Sequence, residues 1–135
     1  MLYLDTSALA KLVTREAESP ALQTYLAERE QTPWVTVALA RAELIRAAYR
    51  TGAPQAIQDA RTVLATLDIL ALTDRLLDQA GTLPPPELRT LDAIHLAGAR
   101  MIGAKLEAVL TYDGRMYDAA RAAGLPVARP GRRES

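Results

Sequence analysis

Short, mostly apolar runs alternate with stretches of helical periodicity along the whole chain. The runs Met1–Leu4, Trp34–Val37, Asp68–Leu72, Leu106–Leu110 and Leu125–Ala128 are too short for helices and sit between polar or turn-forming residues. They read as strands, the last as an edge strand. Between them, apolar residues recur one helical turn apart, as at Ala56, Ile57, Ala60, Val63, Leu64 and Leu67. This pattern predicts helices over 7–13, from Pro20 to about 30, over 38–50, from near Pro54, from a Thr73 cap through Ala80, over 90–102 and over 114–123. Pro84-Pro85-Pro86 marks a stiff surface loop. Strands joined through helices pair in parallel and are covered on both faces. The expected fold class is therefore α/β, a three-layer α/β/α sandwich with a mostly parallel sheet of four to five strands. Residues 1–128 form one domain in this reading, and 129–135 a loose basic tail.

Composition narrows the chemistry. A chain of 135 residues buries about two-thirds of its unfolded surface and needs no staple. There is no Phe and a single Trp, so the core is aliphatic. There is no Cys and only one His, which excludes disulfides, thiolate sites and multi-His metal sites. Any metal must be held by carboxylate oxygens, which favours Mg²⁺ or Mn²⁺ over Zn²⁺. No apolar run approaches the roughly 20 residues needed to span a bilayer, and no signal-like segment is visible. The expectation is a cytoplasmic protein without a membrane partner. Net charge is zero, so nucleic-acid binding would need a local basic patch. The basic residues are nearly all Arg, with Lys only at 11 and 105, and Arg forks suit phosphates.

Four acids occupy special places on this map. Asp5 and Asp113 each follow an apolar strand, Glu43 lies in the helix after the Trp34 run, and Asp92 lies in the first turn of a helix. In open α/β sheets these positions share the carboxyl edge, where ligands bind. Each acid also has a plain structural explanation. Asp5 and Asp113 suit N-caps, worth about 1 kcal/mol each. Glu43 suits an ion pair with Arg46, and Asp92 suits the positive end of its helix. However, Asp92 shares its face with His95, Leu96, Ala99 and Gly103, and Glu43 with Leu39, Ala40 and Ala47. Acids on such faces are costly to bury and repel one another when gathered. A divalent cation reverses that repulsion, the physical reason to prefer one metal-holding cluster. Carboxylate-held Mg²⁺ is also what phosphodiester hydrolysis requires. Thr6, Ser7 and Thr111 would support the ligands by hydrogen bonding, and His95 reads as a packed orienter. Arg41, Arg46, Arg50, Arg89 and Arg115 would grip a nucleic-acid backbone or form solvated ion pairs.

The segments Leu4-Asp5-Thr6-Ser7-Ala8-Leu9, Ala42-Glu43-Leu44, Leu88 to Ala97 and Leu110-Thr111-Tyr112-Asp113 together resemble PIN-domain ribonucleases. More narrowly, they resemble the VapC toxins of toxin–antitoxin pairs. The resemblance implies a PIN-like sheet ordered 3-2-1-4-5 and a Mg²⁺- or Mn²⁺-dependent endoribonuclease. It also implies Asp5, Glu43, Asp92 and Asp113 as the catalytic and metal-binding quartet, a homodimer, and a VapB-like antitoxin that blocks the site. Gly114 departs from the basic residue many relatives carry there. Leu12, Val13, Leu22, Tyr25 and Leu26 either form a groove for an antitoxin segment or cover the sheet; the second is favoured for Leu12 and Leu22. A haloacid-dehalogenase-type phosphatase fits less well, because the position two after Asp5 is Ser7 rather than Asp. A non-catalytic PIN module that only binds RNA or protein, and a housekeeping RNA-processing role, remain the alternatives.

Overall fold

A computed structural model describes residues 1–133. Among these, the chain runs β1 (Leu2–Leu4), α1 (Thr6–Val13), α2 (Ser19–Ala27), β2 (Trp34–Val37), α3 (Leu39–Arg50), α4 (Ala56–Leu64), β3 (Asp68–Leu70), α5 (Asp74–Gly81), α6 (Thr90–Ile102), β4 (Ala108–Leu110), α7 (Gly114–Ala122) and β5 (Val127–Ala128). A single 3-10 turn, Gly103–Lys105, links α6 to β4. The strands form one sheet in the order β3-β2-β1-β4-β5, and every pairing is parallel. The expected three layers and strand order are present. No helix among the described residues is long and apolar enough to cross a membrane.

Side chains of a strand alternate between faces, and this divides the core. Leu2, Leu4, Ala108 and Leu110 pack with Leu9, Leu22, Leu44 and Leu64 beneath α1 to α4. Tyr3, Val35, Val37 and Val109 point the other way, against Leu76, Leu96, Ala97 and Met116 of α5 to α7. Leu22 and Leu26 are buried, and Leu12, Val13 and Tyr25 pack partly buried against the same cluster. Leu22 and Leu26 therefore belong to the core on this face of the sheet, and Leu12 and Leu26 also line an open cleft of about 670 Å³ beside Trp34. Gly98 lets α6 approach closely, since a Cβ there would collide with Val37 Cγ1.

Residues 129–132 of the expected tail are tied to the body. Tyr112 Oη donates to the Pro130 carbonyl at 2.7 Å. Arg132 donates through Nη1 to the Tyr112 carbonyl at 2.8 Å and through Nε to Glu18 at 3.0 Å. The Arg129 guanidinium lies 3.8 Å from the Tyr117 ring centroid. A basic segment is held where the body offers a carboxylate, a carbonyl and aromatic faces. Residues 134–135 of the expected tail lie outside the described residues.

Candidate active site

Asp5 follows β1 directly and caps α1, and it is almost fully buried, at 4% exposure. Its Oδ1 accepts from the Ser7 hydroxyl at 2.6 Å and the Ala8 amide at 3.0 Å. Its Oδ2 accepts from the Thr111 hydroxyl at 2.5 Å. Burial raises its pKa, while the His95 imidazole and these three donors pull the other way. The N-cap and the cluster member are thus one residue: the helix start aims the carboxylate, and two hydroxyls lock it. Ser7 Oγ also accepts the Tyr112 amide at 2.8 Å, and Thr111 Oγ1 accepts the Asp113 amide at 3.2 Å. The loop after β4 is thereby fastened to the loop after β1.

Glu43 does not pair with Arg46. Its Oε1 accepts from Thr6 Oγ1 at 2.7 Å and His95 Nε2 at 2.7 Å. His95, at 3% exposure, is held on its other side by Tyr3 Oη, 2.7 Å from Nδ1. A carboxylate only accepts, so Nε2–H is the donor to Glu43. Burial raises the Glu43 pKa, but the His95 and Thr6 bonds outweigh it, and the group ends below its ordinary value. His95 therefore orients Glu43. The sequence reading missed Tyr3, taken only as part of an apolar strand. Its signal was a hydroxyl in a buried run, which needs a partner.

Asp92 and Asp113 face a small cleft of about 320 Å³ together with Arg89, Gly114 and Arg115. Burial raises the Asp92 pKa first, and then Asp113, Asp5 and Glu43 raise it further by repulsion, against a lowering from His95. All four acids therefore act electrostatically on one region of the carboxyl edge. Asp113 caps α7, its Oδ1 accepting from the Arg115 and Met116 amides at 2.9 and 3.1 Å. Arg41 and Arg46 are exposed on α3 and do not line the cleft, and Arg46 lies 5.7 Å from the Tyr49 ring centroid. A larger cleft of about 770 Å³ between the proline loop and α7 shares Arg115 but holds none of the four acids.

The donor set suits a hard cation, because it is all carboxylate oxygen and carries the mutual repulsion a divalent ion relieves. It is an open site rather than a cage. Among the described residues, no group of three Asp, Glu or His side chains stands ready to enclose a metal ion. Asp5 has both carboxylate oxygens, and Glu43 one, engaged in hydrogen bonds. Mg²⁺ tolerates such a site, binding through one or two carboxylates and keeping several waters.

The PIN domain family profile matches residues 2–122. Ribonuclease VapC46 of Mycobacterium tuberculosis (strain ATCC 25618 / H37Rv) is 51% identical over 129 residues, 96% of this chain and 97% of that protein. Ribonuclease VapC35 of Mycobacterium tuberculosis (strain CDC 1551 / Oshkosh) is 44% identical over 133 residues, 97% of this chain and 98% of its own. Among solved structures, Mycobacterium tuberculosis VapC20, described as a sarcin-ricin loop cleaving toxin, has the same fold with TM-score 0.76 at 21% identity, covering 96% of this chain and 100% of that one. A toxin-antitoxin complex from Klebsiella pneumoniae gives TM-score 0.71 at 22% identity, covering 96% and 98%.

Proposed function

The chain belongs to the PIN-domain family, and on that premise we propose that it is an endoribonuclease of the VapC type. It would be the toxin of a toxin–antitoxin pair, working with Mg²⁺ or Mn²⁺ and held inactive by a VapB-like antitoxin. The names of its relatives support the ribonuclease and toxin parts of this reading. The observation that carries the chemistry is the cleft itself. Two acids, Asp92 and Asp113, share it with Arg89 and Arg115 at the carboxyl edge of the sheet, the combination a phosphodiester bound through a divalent cation requires.

Asp92 and Asp113 would hold the cation, with waters completing its shell. Asp5, whose two oxygens are bound by Ser7, Ala8 and Thr111, would add negative charge behind them, and Glu43 would orient water through its second oxygen. A divalent ion in this place supplies Lewis acidity toward the phosphate and charge for the leaving oxygen. The protein's own residues do the positioning. Arg89 and Arg115 would take the phosphate oxygens of RNA. Ser7 and Thr111 keep Asp5 in its rotamer, and the Tyr3–His95 pair keeps Glu43 aimed at the edge. A homodimer is part of the same proposal.

The test is incubation of the protein with a mixed transfer and ribosomal RNA pool, with Mg²⁺, with EDTA, and as Asp5→Asn. Discrete fragments only from the native protein with Mg²⁺ are expected. Cleavage under all three conditions, or none by a folded protein, would overturn the reading.

A further inference from the structure

We propose that Arg132 is a positioning residue for the reaction, fixing the peptide plane that leads into Asp113. The reasoning starts from that peptide. Its carbonyl belongs to Tyr112 and its N–H to Asp113, and the two lie in one rigid plane. The N–H donates to Thr111 Oγ1 at 3.2 Å. The carbonyl accepts from Arg132 Nη1 at 2.8 Å. The preceding N–H, of Tyr112, donates to Ser7 Oγ at 2.8 Å. Ser7 and Thr111 both run on to Asp5, so they tie the loop from within. Arg132 ties it from outside.

The outer tie has a firm base. Arg132 Nε donates to Glu18 Oε2 at 3.0 Å, and the other oxygen of Glu18 meets the buried Lys11 ammonium at 2.8 Å. One carboxylate thus serves two cations, and both cations lie near the Tyr112 ring, at 4.7 Å for Lys11 and 5.3 Å for Arg132. The Tyr112 hydroxyl returns to the Pro130 carbonyl at 2.7 Å, closing the segment over the ring it holds. A planar guanidinium can serve Glu18 and the Tyr112 carbonyl at once; a lysine ammonium has no such fork. Without Arg132 the 112–113 peptide keeps only its inner ties, and Asp113 gains freedom to swing relative to Asp92. Small displacements of a reacting group carry large rate penalties.

The catalytic part of this proposal rests on the ribonuclease reading; the structural part does not. Arg132→Ala and Arg132→Lys are compared with the native chain by RNA cleavage and by amide hydrogen exchange. Arg132→Ala is expected to lower kcat about tenfold at saturating Mg²⁺, with KM for RNA within about twofold. Its amides at Tyr112, Asp113, Arg115 and Met116 exchange faster while those of β1 and α6 do not, and Arg132→Lys recovers part of both losses. Native kcat with unchanged exchange in Arg132→Ala overturns the proposal. A uniform rise in exchange over all elements also overturns it, because Arg132 would then only stabilise the fold. If the native chain cleaves no RNA, the ribonuclease reading fails, and local exchange at 112–116 still decides whether Arg132 holds the loop.

Discussion

Glu43 gives a single oxygen to two donors, Thr6 and His95, and His95 is held in turn by Tyr3. Removing the Tyr3 hydroxyl leaves the Nδ1 of a buried imidazole unpartnered, a cost of about 1–3 kcal/mol. Tyr3→Phe should therefore lower the unfolding free energy from urea titration by that amount and slow cleavage severalfold; an unchanged unfolding free energy would show the bond contributes nothing. Asp92 behaves in the opposite sense. Burial and then the charges of Asp113 and Asp5 raise its pKa above the ordinary 3.8. Its stabilising contribution is therefore full below about 3.8 and is lost as pH rises through the raised value. At neutral pH without metal the ionised group strains the fold, so Asp92→Asn should melt about 1–3 °C higher in EDTA while losing cleavage. Mg²⁺ should then raise the melting temperature of the native chain and not of the variant. A lower melting temperature for Asp92→Asn in EDTA would contradict this. The acids themselves were legible because each stands beside a strand end or in a helix's first turns. Tyr3 was not, because an apolar run conceals a hydroxyl whose partner lies on a helix far along the chain.

The elements followed from two periodicities, and their ends were set by residues that stop them. Thr73 caps α5 by accepting the Leu76 amide at 3.1 Å, and α6 spans Thr90–Ile102 as its pattern predicts. Strand ends were harder to read. β4 begins at Ala108, with Leu106 and Glu107 between it and the Gly103–Lys105 turn, although the Glu107 amide already donates to the Met1 carbonyl at 2.8 Å, and β3 stops at Leu70 before the α5 cap. Three-residue strands carry too little alternation to mark their own limits. Close packing of α6 on β2 is the element-level feature that aims Asp92 and His95, and Gly98 permits it. Gly98→Ala would drive a methyl onto Val37 Cγ1, with an overpacking cost of about 1–3 kcal/mol. Adding Val37→Ala should recover part of that loss, since the two share one contact. Strict additivity of the two unfolding free energies would place the strain elsewhere.

Across the whole molecule, the sheet edge gathers the acids and the C-terminal segment closes over the loop that presents one of them. That segment was unreadable as structure because Arg129, Pro130, Gly131 and Arg132 have no periodicity; their order comes from partners at Glu18, Tyr112 and Tyr117. Glu18, bonded by Lys11 and Arg132, has its pKa lowered from 4.5 to about 2. A depressed carboxylate stabilises the fold above its unfolded value, and that stabilisation is lost as pH falls from about 4.5 toward about 2. Urea midpoints between pH 6 and pH 3 should thus fall more steeply for the native chain than for Glu18→Gln; parallel slopes would remove the network from acid stability. The account as a whole turns on the edge acids sharing a divalent cation. Calorimetric titration with Mn²⁺ of the native chain and of Asp92→Asn/Asp113→Asn addresses this most directly. The account predicts binding that Mg²⁺ displaces, weakened at least tenfold in the folded double variant. Equal Mn²⁺ affinity in the two proteins would contradict it.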